Sequence, residues 1–298
     1  MLTPNQMQLT MSDEAIVDVY TFGQKNNPCI IISPALMGNV QSYSPIIDNL
    51  VNNQDYYVVF ANLRAHVAKE KKQNKGKGMR LSRLSSDLHE VMQQLNCQRP
   101  ILLGHSIGCA VIWGTIEIYG QHNMSGFIFL DQPPALMLTE NNKMGYDPSW
   151  SVFDINNYAT LSKQMLQMQS KAAFKDFVIE QYSNGFITDE ARKQGLFDQW
   201  IDAAESMDPA NIMRSMIETL NHDWTDLIPN IKLPTLIVGG KASLTPWESQ
   251  CWMGEQIKDS TVLILEKDQG GVHGMFLDST GATLLNNAID QFLQAISN

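Results

Sequence analysis

Residues Ile101–Ala110 read ILLGHSIGCA and join a short apolar run directly to an amphipathic one, Ile107–Tyr119. This pattern predicts a strand, a sharp turn and a helix, with Ser106 at the tip of the turn. Gly104 and Gly108 fit the turn because a residue without Cβ on each side lets the strand and helix backbones approach closely. The stretch therefore presents one hydroxyl at the point where a helix begins.

The start of a helix has unpaired amide groups and the positive end of the helix dipole, and both favour negative charge. The amide of Ile107 can therefore hold an oxyanion that forms beside Ser106. A serine at this point can also be a plain helix N-cap. We favour a nucleophile, because an N-cap does not require a glycine on both sides.

The composition is that of a globular protein. The chain has 298 residues, 44% hydrophobic and 17% charged, which suits one large core or one domain with an inserted subdomain. The formal net charge of −10 argues against nucleic acid as a partner, because phosphate binding needs a basic face. The basic cluster at residues 69–78 has no interleaved aromatic residue and is interpreted as a solvated loop.

The cysteines and the first residues indicate the compartment. The four cysteines have no C-x-x-C spacing, which predicts reduced thiols. Residues 1–6 have neither a basic nor an apolar signal region, and no stretch reaches the length of a membrane span. We expect a cytoplasmic protein that acts on a small-molecule substrate without a membrane partner. Nothing in the sequence indicates its oligomeric state.

Short apolar runs alternate with helical ones along most of the chain. Besides the run before Ser106, the predicted strands are Gln6–Met11, Ala15–Phe22, Cys29–Ser33, Tyr56–Ala61, Phe127–Asp131, Thr235–Gly239 and Thr261–Glu266. Besides the run after it, the predicted helices include Tyr43–Val51, Leu81–Leu95, Trp247–Ile257 and a last one from about Thr283 to Ile296. With right-handed crossovers, this alternation predicts an α/β fold whose mostly parallel sheet is flanked by helices.

One long stretch lacks any run typical of a strand. Between Gln132 and Leu233 the predicted elements are the helices Asn157–Met168, Ala172–Tyr182, Thr188–Met207 and Pro209–Leu220. We interpret residues 132–233 as a helical cap over the strand ends, and residues 1–131 and 234–298 as the core. Methionines in this cap suit a soft, apolar pocket.

The Gly-x-Ser-x-Gly pattern between a strand and a helix resembles the nucleophile elbow of the α/β-hydrolase fold family. The resemblance implies that fold for nearly the whole chain, with Ser106 as the nucleophile and with no cofactor or metal. Residues Asn62–His66 resemble the family's Asp-x-Arg-Gly-His segment, where the histidine holds a loop together. His66 is therefore interpreted as structural.

A serine hydroxyl is a poor nucleophile near neutral pH and needs a base within hydrogen-bond reach. The six histidines are His66, His89, His105, His122, His222 and His273. We expect His89 on a helix under the sheet, His122 in a polar loop at the far end of the helix after Ser106, His222 in the cap, and the His105 side chain pointing away from Ser106. His273 lies in a glycine-rich stretch after the last strand, where the family keeps its base. We expect His273 to be the base; the alternative is a histidine in a surface loop.

The base needs an acid that holds its tautomer. Family members most often carry this acid in a Gly-x-x-Asp-x-x-x-Pro segment, but residues Gly239–Pro246 of this chain have Ala242 in its place. Asp131, at the end of the sixth predicted strand, is the alternative that some branches of the family use. Burial beside apolar neighbours would require this carboxylate to be paired. Asp131 can also be a turn or capping residue.

The second oxyanion amide is expected in the loop after Cys29–Ser33. The family usually has His-Gly-x-x-Gly there. Alignment on Gly38 makes Leu36 the donor, whereas alignment on the end of the strand makes it Ala35. We expect Leu36, together with Ile107; the alternative is a plain loop without this role.

The first functional hypothesis is a serine hydrolase, most simply a carboxylic-ester hydrolase, that cleaves a small, largely apolar ester or related acyl compound. Ser106 attacks the carbonyl, His273 carries the proton and Asp131 orients His273, while the amides of Leu36 and Ile107 hold the oxyanion. The residue order Ser, Asp, His along the chain matches the family.

Two alternatives keep the fold and change the function. Cofactor-free dioxygenases that cleave heteroaromatic rings resemble this family and take their acid from the strand end where Asp131 lies; in them the His/Asp pair deprotonates the substrate. A ligand receptor without catalysis is the third hypothesis, because Ala242 and Pro34-Ala35 depart from the family pattern.

Overall fold

A single sheet runs through the protein, and the computed structural model describes it together with the rest of residues 2–66, 74, 76–137, 145–167, 170–182 and 184–297. Its strands are β1 Asn5–Thr10, β2 Ile16–Phe22, β3 Cys29–Ser33, β4 Tyr57–Ala61, β5 Ile101–His105, β6 Gly126–Leu130, β7 Thr235–Gly240 and β8 Ser260–Leu265. In these described ranges the order across the sheet is β1-β2-β4-β3-β5-β6-β7-β8. β1 and β2 form the predicted antiparallel hairpin. Across the sheet from β4 to β8, neighbouring strands, including β3, pair in parallel.

Helices cover both faces of this sheet, as predicted. They are α1 Ser44–Asn52, α2 Leu81–Gln94, α3 Ile107–Tyr119, α4 Tyr158–Gln167, α5 Lys171–Tyr182, α6 Asp189–Lys193, α7 Leu196–Glu205, α8 Pro209–Leu220, α9 Trp247–Gln256 and α10 Ser279–Ser297. The predicted residue Met168 and most of the basic cluster 69–78 lie outside the described residues. Within the described ranges, no helix has the length and apolar character needed to cross a membrane.

Alternate residues of the central strands face opposite layers of the core. Ile31 and Leu102 pack in the layer under α2 and α3, whereas Ile30 and Leu103 pack in the layer under α1 and α10. All residues of β3, β5 and β6 are buried, which explains their continuous apolar runs. Because these strands are parallel, their carboxyl ends meet at one edge of the sheet.

Two predicted helices differ from the structure by more than small shifts at their ends. The single helix expected over Thr188–Met207 is two helices, α6 and α7, because Gly195 adopts a φ of 75° between them; this left-handed conformation ends a helix. The last helix begins at Ser279 rather than near Thr283, because the Asp278 carboxylate accepts the amide of Thr280 at 2.9 Å. A capping carboxylate of this kind starts a helix.

The described residues between β6 and β7 form helices α4 to α8 and no strand of the sheet. Asp208 caps α8 by accepting the amide of Ala210 at 3.0 Å, and Pro209 occupies its first turn, as the sequence predicts. α8 packs against α4 and also contacts α2 and α3 of the sheet layer. The division into a core and a cap stays a prediction.

A buried arginine fixes the turn that follows β4. Arg64 is fully buried and binds the Asp87 carboxylate through Nε at 2.6 Å and the Asp13 carboxylate through Nη1 at 2.6 Å. The Arg64 guanidinium lowers the pKa of Asp13 to about 2. These bonds hold the helical turn Arg64–His66 between the β1–β2 hairpin and α2, because a planar guanidinium can bind two carboxylates at once.

Replacing this arginine tests its structural role. Arg64→Ala leaves the Asp87 carboxylate buried, with Arg83 as its remaining cationic partner among the described residues, so the free energy of unfolding in urea should fall by about 3 kcal/mol or more. Lys241→Ala is the control, because it breaks an exposed ion pair with Glu266 that is worth at most about 1 kcal/mol. Equal stability of the two variants would contradict a structural role for Arg64.

Candidate active site

The predicted turn between β5 and α3 is present, and Ser106 lies at its tip with φ 55° and ψ −128°. A Cβ at Gly108 would lie 2.0 Å from the carbonyl oxygen of Ser33, and one at Gly104 would lie 2.7 Å from the amide nitrogen of Cys109. Both glycines are therefore required by the close approach of β3, β5 and α3. The strained backbone of Ser106 is of the kind found at functional sites.

His273 and Asp131 are in direct contact. The His273 Nδ1 atom lies 2.6 Å from the Asp131 Oδ2 atom, and the two residues are 3% and 0% exposed. Asp131 directly follows β6 and adopts a φ of 51°, a conformation that aspartate tolerates better than most residues. A pair this short and this deeply buried fixes which nitrogen of His273 faces the carboxylate, and leaves Nε2 for another partner.

A third side chain completes the surroundings of Asp131. The hydroxyl of Ser243 donates to the same Oδ2 atom that contacts His273. Sequence reasoning missed Ser243, although it directly follows Ala242 in the segment where the acid was sought. The position of Ser243 in the sequence was the signal that could have identified it. If this loop brings position 242 close to the site, it can also bring the neighbouring position 243 there.

The main chain of His273 is held from two sides. Its amide donates to the carbonyl of Gly185 at 2.8 Å, and its carbonyl lies 3.0 Å from Nε2 of His105. The next amide, of Gly274, donates to Phe186 at 2.6 Å. The segment between α5 and α6 therefore fixes one side of the loop that carries His273, and the elbow fixes the other.

His105 belongs to a chain of hydrogen bonds that starts in the loop after β3. The amide of Ala35 donates to the Tyr43 hydroxyl at 2.8 Å, and that oxygen lies 2.8 Å from His105 Nδ1. Because the His273 carbonyl can only accept, His105 donates to it from Nε2, and Nδ1 of the neutral ring accepts the Tyr43 proton. Burial, with a smaller effect of His273, holds the pKa of His105 well below its usual value. A neutral ring is what this chain of bonds requires.

The same contacts separate the two candidates for the oxyanion donor. The Ala35 amide is occupied by Tyr43, whereas no described residue accepts a hydrogen bond from the amide of Leu36 or of Ile107. Leu36 and Ile107 both line the cavity that contains Ser106. This arrangement favours Leu36 over Ala35, as the alignment on Gly38 predicts.

His66 holds the loop that contains Leu36. Its Nε2 atom accepts the amide of Met37 at 3.0 Å, and its Nδ1 atom donates to the side chain of Asn62 at 2.7 Å. Met37 adopts a φ of 63°, so this anchor supports a strained turn. Burial lowers the pKa of His66 to about 3. Its neutral ring is a structural acceptor, in line with the interpretation made from the sequence.

A cavity of about 240 Å³ lies over these groups. It is lined by Leu36, Met37, Ser106, Ile107, Gln132, Leu136, Val152, Phe153, Met165, Phe177, Tyr182, Met213, Met216, Thr219, Leu244, Thr245 and His273. Methionine and aromatic side chains make up much of the wall, and Ser106, His273 and the residues of both candidate oxyanion donors, Leu36 and Ile107, line the same cavity. The chain can thus place an apolar molecule in a cavity that both a candidate nucleophile and a candidate base line.

Comparison with known proteins points to one fold family. A family profile described as alpha/beta hydrolase fold matches residues 28–279. A candidate non-heme chloroperoxidase of Synechocystis sp. is 27% identical over 216 residues, which cover 70% of this chain and 72% of that protein.

Two solved structures show the same fold over almost the full chain. The bromoperoxidase from Bacillus anthracis superposes with a TM-score of 0.76 at 21% identity, covering 97% of this chain and 100% of that one. The esterase from Exiguobacterium antarcticum superposes with a TM-score of 0.74 at 22% identity, covering 95% and 98%.

The low pKa of His66 predicts a pH dependence of stability. Unfolded histidine takes up a proton below about pH 6.5, whereas folded His66 does so only near its pKa of about 3. Stability should therefore fall as the pH decreases between these values. His66→Gln should reduce the slope of unfolding free energy against pH by about 1.4 kcal/mol per unit inside this window.

Urea unfolding at two pH values inside this window measures the slope. His122→Gln, at an exposed loop histidine, serves as the control and should keep the slope of the original protein. An unchanged slope in His66→Gln would show that this residue takes up its proton in the folded state as readily as in the unfolded one.

Proposed function

The chain belongs to the α/β-hydrolase fold family, and we propose that it is a serine hydrolase cleaving a small, largely apolar ester or related acyl compound. One observation carries the proposal. Ser106 and His273 line one cavity, and Nδ1 of His273 is hydrogen-bonded to the buried carboxylate of Asp131. An esterase among the compared structures supports the same reaction class.

In the proposed mechanism, Nε2 of His273 takes the proton of the Ser106 hydroxyl as its oxygen attacks the substrate carbonyl. Asp131 holds the tautomer of His273 and stabilises the imidazolium that forms. The amides of Leu36 and Ile107 donate hydrogen bonds to the negatively charged oxygen of the tetrahedral intermediate. No described residue accepts a hydrogen bond from either amide. His273 then gives its proton to the leaving alcohol, and an acyl-serine remains.

Water completes the cycle by the same route. His273 removes a proton from the water as it attacks the acyl-serine, and returns that proton to Ser106 when the carboxylic acid leaves. Hydrogen peroxide can replace water in this step and would give a peracid. The names bromoperoxidase and chloroperoxidase carried by two of the compared proteins are therefore compatible with the same acyl-enzyme.

The apolar wall of the cavity favours a substrate whose acyl or alcohol group is apolar. Met213, Met216 and Met165 contribute flexible thioether side chains, and Phe153 and Phe177 contribute aromatic faces. Methionine adapts to irregular shapes. We therefore expect short aryl and alkyl esters to be turned over and esters with a charged acyl group to be poor substrates.

A second candidate follows from the position of Asp131 after β6, the strand end from which cofactor-free dioxygenases of this fold take their acid. In that reaction the His273–Asp131 pair would deprotonate a ring hydroxyl, and Ser106 would only position the substrate. The two candidates differ in what Ser106 does, so replacing this residue separates them.

Kinetics on p-nitrophenyl esters of short acids test the hydrolase. Ser106→Ala should lower kcat/KM by about a thousandfold or more, because the nucleophile is lost. Ser82→Ala, on the exposed side of α2, is the matched control and should keep full activity. Turnover that survives in Ser106→Ala at the level of the control would reject Ser106 as the nucleophile.

Oxygen uptake with a 3-hydroxy-4-quinolone tests the second candidate. Uptake that persists in Ser106→Ala and disappears in His273→Ala would favour ring cleavage over ester hydrolysis. Binding of such ligands with neither uptake nor ester turnover would instead indicate a receptor. For the proposed hydrolase we expect no oxygen uptake.

A further inference from the structure

We propose that Ser243 is a positioning residue for the Asp131–His273 pair, supplied by the loop in which the family usually carries its acid. This inference rests on the proposed function, because it assumes that the pair works as the acid and base of the site. Ser243 does not line the cavity, so we expect it to act through Asp131 rather than by contact with the substrate.

The direction of the Ser243 hydroxyl is defined by its two partners. The amide of Thr245 donates to the Ser243 oxygen at 3.2 Å, and the hydroxyl itself donates to Asp131 Oδ2. Because the Thr245 amide can only donate and a carboxylate oxygen accepts, the hydroxyl proton is directed to Asp131. Ser243 and His273 thus donate to one oxygen of Asp131.

Asp131 has few other donors. It is 0% exposed, and no described residue makes a hydrogen bond to its Oδ1 atom. An ionised carboxylate without water is stable only when donors or a cation face it. His273 changes its charge during the proposed reaction, so Ser243 is the partner of Oδ2 among the described residues whose charge stays the same in every step.

The loop that carries Ser243 is fixed to the loop that carries His273. The amide of Ala242 donates to the carbonyl of Gly271 at 2.8 Å, and a Cβ at Gly240 would lie 2.3 Å from the carbonyl carbon of Gly271. This close backbone packing sets the distance between the end of β7 and the base. The acid comes from β6, its donor from β7 and the base from the segment after β8.

The hydroxyl should stabilise the carboxylate most when His273 is neutral, because the pair then carries a net negative charge. When His273 is protonated, the imidazolium already compensates most of that charge. Removing the hydroxyl therefore raises the affinity of the pair for a proton. The acidic side of the pH profile of kcat/KM should move to higher pH by the same amount as the midpoint of the His273 titration.

The test compares Ser243→Ala with Ser243→Thr, which keeps a hydroxyl, and with Lys241→Ala, an exposed change on the same loop. NMR titration of the His273 ring, assigned by the spectrum of His273→Gln, measures proton affinity without any substrate. We expect the midpoint to rise by roughly half a unit or more in Ser243→Ala, and to stay near the original in the other two variants.

The titration tests the role of Ser243, and the kinetics test the proposed function, so the two can be rejected separately. An unchanged His273 midpoint in Ser243→Ala would overturn the role of Ser243, whatever the reaction is. A raised midpoint in a protein with no esterase activity would support Ser243 and reject the proposed function. An equal rise in Lys241→Ala would show a general loosening of the loop and would also overturn the proposal.

Discussion

A carboxylate that has lost all contact with water must be paired, and the arrangement of this site follows from that constraint on Asp131. The energetic cost of burying an ionised group is met by the His273 imidazole and the Ser243 hydroxyl, both directed at one oxygen. The pairing in turn requires the His273 loop to stay in one place. The Gly185 carbonyl, which accepts the His273 amide on one side, and His105 Nε2, which donates to the His273 carbonyl on the other, provide this.

Three of the seven non-glycine residues with positive φ among the described residues lie at the same edge of the sheet. Ser106 follows β5, Asp131 follows β6 and Met37 lies in the loop after β3, and all three have positive φ values without being glycine. Such conformations persist only where the surroundings hold them. Here the surroundings include glycines that permit close backbone packing, the buried His66 ring and the Tyr43–His105 hydrogen bonds. The fold thus stores strain where the proposed chemistry takes place.

The sequence was sufficient for most of the fold because its strands are short, apolar and regularly spaced. It was not sufficient where one residue overrides a pattern: Gly195 divides a helix whose flanking residues all suit a helix, and Asp278 starts the last helix early. The pattern around Ser106 was strong because two glycines and a helix start have to coincide there.

Parts of the site depended on contacts between distant segments, which spacing does not reveal. The choice of Leu36 over Ala35 depends on which amide Tyr43 occupies. Ser243 contacts Asp131, which lies 112 residues earlier in the chain. In the sequence, Ser243 looks like an ordinary loop residue. The absence of an acid at Ala242 pointed to the right loop, but only the packed structure shows what that loop contributes instead.

The central claim is that Ser106, His273 and Asp131 act as one unit, and labelling with a fluorophosphonate tests it most directly. Peptide mass spectrometry identifies the modified residue, and the rate is compared between the original protein and Asp131→Asn. We expect the label on Ser106, with a rate that falls by about a hundredfold or more in the variant. A label on another residue, or equal rates in both proteins, would contradict the account.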